Sequence, residues 1–125
     1  MIDLNIEEFE KLVSDAIDAI PEHYAGNMKN VGFVVEDMPT AEQRQKLHLH
    51  RGMTLYGLYE GIPLTQRGNN YSGVLPDKIT VFRLPMLHQA QNHDELKNLV
   101  NNTVWHEVAH HFGLDHARID EIENS

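Results

Sequence analysis

Residues 92–112 constrain the fold more than any other stretch of the chain. Asn92 and Glu95 are spaced as a helix capping box. Leu96, Leu99, Val100, Val104, Trp105, Val108, Ala109 and Phe112 then recur at helical spacings. These apolar positions cover most of the circumference, so the helix must be enclosed on several sides instead of lying on a surface. Gly113 suits the left-handed position that terminates a helix. The rest of the chain therefore has to build walls around one buried helix. With 125 residues it has material for a single hydrophobic core, and one domain over 1–125 is expected.

The walls are legible in the hydrophobic pattern. Asn5 and Glu8 form a second capping box, followed by Ile6, Phe9, Leu12, Val13, Ala16, Ile17 and Ile20 on one stripe, which predicts an amphipathic helix ended or kinked at Pro21. Val31–Glu36 is a short β-branched run and reads as a buried strand. Thr40 to Lys46 suggests a short helix capped by Thr40. Met53–Glu60 reads as a second strand and Lys78–Leu84 as a third, closed by Pro85. Between them, Gly61 to Gly73 is rich in Gly, Asn and Pro and reads as a long loop, and a short helix over Arg118–Glu123 is expected to close the chain. Strands and helices do not alternate strictly, so the pattern favours an α+β fold with a small sheet of about three strands.

Charge and composition exclude several classes. The net charge is −9 without a basic block, which makes nucleic acid and anionic membrane surfaces poor partners. The chain has no cysteine, so neither disulfides nor thiolate metal sites are available to it. Its start is acidic and broken by polar residues, unlike a secretory signal, and no apolar run approaches bilayer length. A cytoplasmic protein, expected to be a monomer, is the default.

The buried helix also carries chemistry. His106-Glu107-Val108-Ala109-His110 places two imidazoles one turn apart on the same face, where both can reach one ion. Glu107 projects about 100° round the turn and is placed to take a proton from a water that the ion has acidified. Gly113 and His116 extend the pattern to His-Glu-x-x-His-x-x-Gly-x-x-His, and the glycine would let the backbone leave the helix sharply. A catalytic zinc takes three protein ligands and keeps one position open. His116 is the favoured third ligand, with Asp115, Asp120 and Glu121 as carboxylate alternatives. No Met follows His116, so the methionine turn of metzincins is absent. Three chemistries suit this pattern: zinc-dependent hydrolysis of a peptide bond, zinc-dependent cleavage of a small-molecule amide, and a metal that only braces the fold or a partner-binding surface.

Beyond the motif, the chain resembles the small bacterial zincin-like metallopeptidases. The resemblance is carried by Phe9–Val13, Val34–Asp37, Leu58–Thr65, Tyr71–Ile79 and His106–Gly113, of which the last two are the most distinctive. It implies a minimal zincin fold: a small mixed sheet, a long helix and the metal helix, with zinc at His106, Glu107 and His110. The resemblance does not settle the substrate; the expected partner is a peptide or protein substrate. In that family the position of His116 is often aspartate, so the histidine departs from the usual form while keeping a possible ligand.

Other candidates have plainer readings. His48 and His50 suit a polar loop better than a second ion. His111 points to another face of the helix, which suits packing or support of a ligand. Trp105 is expected in the core, and Tyr59 is expected to be structural. Tyr71 and Arg67 are possible substrate contacts, and Arg67 and Arg118 are candidates for stabilising an oxyanion; a solvated arginine is the default for each. The segment from Gly68 to Leu75 is expected to form one wall of a cleft beside the metal.

Overall fold

The computed structural model describes residues 2–26, 28, 30–46, 55–61 and 77–113. Both capped helices start where their caps stand. In α1 (Ile6–Asp18) Asn5 accepts from the Glu8 amide at 2.8 Å and Glu8 reaches back to the Asn5 amide, a complete capping box. In α5 (His93–His111) Asn92 accepts from the Glu95 amide, but the Glu95 carboxylate takes the Gln91 amide one residue earlier, so the box expected there is only half formed. Between these lie α2 (Glu22–Ala25), β1 (Val31–Glu36), α3 (Ala41–Lys46), β2 (Gly57–Glu60), β3 (Asp77–Phe82) and α4 (Arg83–Gln89). Among the described residues this is an α+β fold of five helices and one three-stranded mixed sheet.

Strand order is β1-β3-β2, with β3 parallel to β1 and antiparallel to β2. The register aligns Val31, Phe33 and Val35 of β1 with Asp77, Ile79 and Val81 of β3, and Gly57 and Tyr59 of β2 with Val81 and Ile79. Because alternate residues of a strand share a face, these side chains form one surface of the sheet. Helix α5 lies on it, also touching α1 and α4. Phe9, Val13 and Ala16 from α1, Ile79 and Val81 from β3, Met86 and Leu87 from α4, and Leu96, Val100, Val104 and Val108 from α5 make one core. The enclosure demanded by the apolar circumference of α5 is thus supplied by two helices and the sheet.

Several expectations are corrected. Among the described residues Val31–Glu36 is an edge strand, half-buried on alternate residues, and Val34 is exposed; it is apolar on both faces yet buried chiefly on one. Pro85 does not close a third strand at Leu84. The strand ends at Phe82, and Pro85 stands in the first turn of α4, where a missing amide proton leaves no intrahelical bond unmade. Pro21 likewise follows the end of α1 at Asp18 and serves as N-cap of α2. Strand β2 starts at Gly57, with Leu55 and Tyr56 ahead of it, and Met53 and Thr54 lie outside the described residues. Thr40 caps α3 as expected, accepting from the Gln43 amide at 3.0 Å. The Gly61–Gly73 loop beyond Gly61 itself and the Arg118–Glu123 helix lie outside the described residues. No helix among the described residues is long and apolar enough to cross a membrane.

Candidate metal centre

Two ridges of α5 define the site. Thr103, Glu107 and His111 are buried and stand four residues apart, facing the sheet and β2. His106 and His110 form the neighbouring ridge and are half-buried. One ligand atom from each of His106, Glu107 and His110 lies within 4.8 Å of the others. The two imidazoles meet nearly edge-on, with ring centroids 4.6 Å apart. Glu107 is 7% exposed, and its Oε1 lies 3.1 Å from His110 Nδ1. The hydrogen bond to this carboxylate raises the His110 pKa above the ordinary histidine value, against partial burial, which pulls it down. Two imidazoles beside a carboxylate, at the head of an open cleft, are a donor set that suits zinc.

The cleft, about 360 Å³, is lined by Leu55, Tyr56, Gly57, Asn102, Thr103, His106 and Glu107. It exists because β2 comes unusually close to α5. A Cβ on Gly57 would lie 2.7 Å from Thr103 Cγ2, 3.2 Å from Glu107 Cγ and 3.3 Å from the Thr80 carbonyl oxygen. Only glycine permits this approach, and it sets the first residue of β2 against the helix turn that carries Glu107. On its other side β2 pairs with no strand among the described residues. At the far end of α5, Gly113 adopts φ +75° and its amide donates to the His110 carbonyl at 3.0 Å. This is the sharp left-handed exit that the glycine was expected to provide.

A family model described as zincin-like metallopeptidase matches residues 28–125. The chain belongs to the zincin-like metallopeptidase family. No curated protein matches it. In this zincin-like chain the His-Glu-x-x-His pattern, recognised as five letters in a row, is a real constellation: its three side chains converge, and the family match covers both the sheet and the metal helix.

The other sequence candidates fall differently. His116, Asp115, Asp120, Glu121, Arg67, Tyr71, Arg118, His48, His50 and the Gly68 to Leu75 segment lie outside the described residues. His111 packs inward, as expected, and bonds to Asp77. Tyr59 turns away from the cleft residues, its hydroxyl donating to the same Asp77. Trp105 is half-buried at the margin of the core and meets Tyr24 edge-on at 5.0 Å. Gly57 and Asp77 escaped sequence reasoning. Gly57 had a signal, since an isolated glycine inside a strand pattern marks close backbone approach. Asp77 had none, because its partners lie 18 and 34 residues away.

Proposed function

We propose that this zincin-like protein is a zinc-dependent peptidase in which Glu107 is the general base. The observation that carries the reading is the convergence of His106, Glu107 and His110 beside a cleft walled by Leu55, Tyr56 and Gly57, where β2 begins. In the proposal His106 and His110 hold the ion through imidazole nitrogens, and His116 is the third ligand, with Asp115, Asp120 or Glu121 as substitutes. A bound zinc supplies two things: it acidifies water and it stabilises negative charge on the carbonyl oxygen under attack.

The chain's own groups do the rest. Glu107 lines the cleft from the helix turn packed on Gly57, its Oε1 3.1 Å from His110 Nδ1. It accepts the proton of the attacking water and returns it to the amine that leaves. In the proposal an extended substrate chain runs along the side of β2 turned away from β3, since peptides commonly bind by adding a strand. That favours a peptide over a small-molecule amide, which has no use for a strand edge. The acidic chain gives no support for nucleic acid as a partner.

The test is metal analysis of the purified protein together with a peptide-library digest by wild type and Glu107→Gln. The variant keeps size and hydrogen bonding and loses the base. It should retain zinc while hydrolysis falls by orders of magnitude. Equal hydrolysis by both proteins would remove Glu107 from the reaction, and stoichiometric zinc without cleavage of any peptide would favour a bracing role for the metal.

A further inference from the structure

Behind the metal helix lies a second polar cluster that the proposed reaction does not use. Asp77 opens β3 and is 3% exposed; His111 ends α5 and is 1% exposed. His111 Nδ1 lies 2.7 Å from Asp77 Oδ2, and the Tyr59 hydroxyl donates to that same oxygen at 2.7 Å. A carboxylate only accepts, so the His111 proton facing it sits on Nδ1. The rings of Tyr59 and His111 meet edge-on at 5.7 Å. The chain at Gly61 closes over the other oxygen, where a Cβ would stand 2.5 Å from Asp77 Oδ1.

Burying a carboxylate is unfavourable, and well-packed apolar side chains of similar volume commonly hold a fold at least as firmly. Stability alone therefore gives no reason for this cluster. What it supplies is direction. Two donors from β2 and α5 converge on one oxygen of β3, so sliding or turning the last turn of α5 breaks a bond in a place where water cannot replace it. His111 follows His110 by one peptide bond, and Gly113, where the chain leaves the helix, comes two residues later. Fixing the rotation of His111 fixes that of His110, about 100° away on the same turn.

We propose that Asp77, with Tyr59 and His111, is a positioning device: it sets the rotation and height of the last turn of α5 so that His110 meets His106 on one metal ion. This rests on the metal reading of His106, Glu107 and His110. The probe is cobalt(II) alone, added to the full metal-free chain, for wild type, Tyr59→Phe and Asp77→Asn. Three quantities are read: cobalt affinity by chelator competition, the visible spectrum at saturation, and thermal unfolding of the metal-free form. Tyr59→Phe removes one hydroxyl at nearly constant volume and keeps the test decisive if Asp77→Asn does not fold. Cobalt affinity should fall about tenfold in Tyr59→Phe and further in Asp77→Asn, as when groups supporting a ligand are lost elsewhere. The saturated spectrum should also change, which a merely less stable protein with an intact site would not show. Wild-type affinity and spectrum in Tyr59→Phe, or an affinity loss no greater than the unfolded fraction accounts for, overturns the positioning role and leaves the metal site standing. Failure of the wild type to bind cobalt stoichiometrically overturns both.

Discussion

Gly57→Ala is the most exacting perturbation of the junction between β2 and α5. The added methyl would sit 2.7 Å from Thr103 Cγ2, closer than side-chain carbons approach one another, and within 3.2 Å of Glu107 Cγ and 3.3 Å of the Thr80 carbonyl oxygen. Overpacking of this kind costs about 1–3 kcal/mol. Against it, replacing glycine reduces the freedom of the unfolded chain and returns about 0.4–1 kcal/mol. The clash wins because the nearest atom belongs to a β-branched side chain that is stiff inside a helix and has little room to turn aside. A net loss of about 1–2 kcal/mol is expected. An unfolding entropy of about 2.1 cal/mol/K per residue makes each kcal/mol worth about 4 °C for a chain this long, so Tm should fall by roughly 4–8 °C. Thr103→Ser removes the very methyl that is struck. Alone it should cost about 0.8 kcal/mol, the value of one buried carbon. Combined with Gly57→Ala it should restore stability, giving a coupling of about 1 kcal/mol or more in a double-mutant cycle. The assay is thermal or denaturant unfolding of the four proteins in the metal-free state. Strict additivity, or a Gly57→Ala protein as stable as wild type, would refute the reasoning, because either result requires that β2 and α5 do not press on each other through these atoms. In the single variant, hydrolysis should fall further than stability, since Glu107 has to shift to make room.

Other outcomes follow from the proposed metal site and from the caps and exits of its helices. His106→Ala and His110→Ala should each abolish stoichiometric zinc, read by metal analysis after dialysis; undiminished zinc in either would dismiss that ligand. His116→Ala should weaken zinc binding markedly, and an unchanged affinity would pass the third position to Asp120 or Glu121. Gly113→Ala has to place a Cβ residue at φ +75°, costing about 1–2 kcal/mol, and should lower cobalt affinity as well by redirecting the chain beyond the helix. Asn5→Ala loses only a helix cap remote from the cleft, so it should cost about 1 kcal/mol in unfolding experiments and leave metal binding untouched.

What could be read from the sequence was local. Asn5 and Asn92 announce their helices because a cap acts on the three residues after it, and the stripe of Phe9, Val13 and Ala16 repeats within one helix. His106, Glu107 and His110 are legible for the same reason: helical geometry alone brings them together. Prolines were less informative than they appeared, since Pro85 is compatible with ending a strand and with opening a helix, and only the placement of α4 on the core decides between them. Strand ends were misjudged where pairing sets them: β2 begins at Gly57, opposite Val81, although the β-like residues begin earlier. The Tyr59–Asp77–His111 cluster was invisible because three elements must dock before its members meet.

The helix that presents Glu107 to the cleft is also the one whose Val100, Val104 and Val108 fill the centre of the core. It therefore has no cheap way to open. Amide hydrogens along its middle turns should exchange with solvent only when the whole molecule unfolds, so the protection of Val104 or Val108 reports global stability. Metal bound to His106 and His110 in the native state alone should then slow exchange throughout the core, α1 and β3 included, by the same factor that it adds to the folding equilibrium. An ion held by His106 and His110 of α5 would be felt at Phe9 in α1 without any change in the contacts of Phe9 itself.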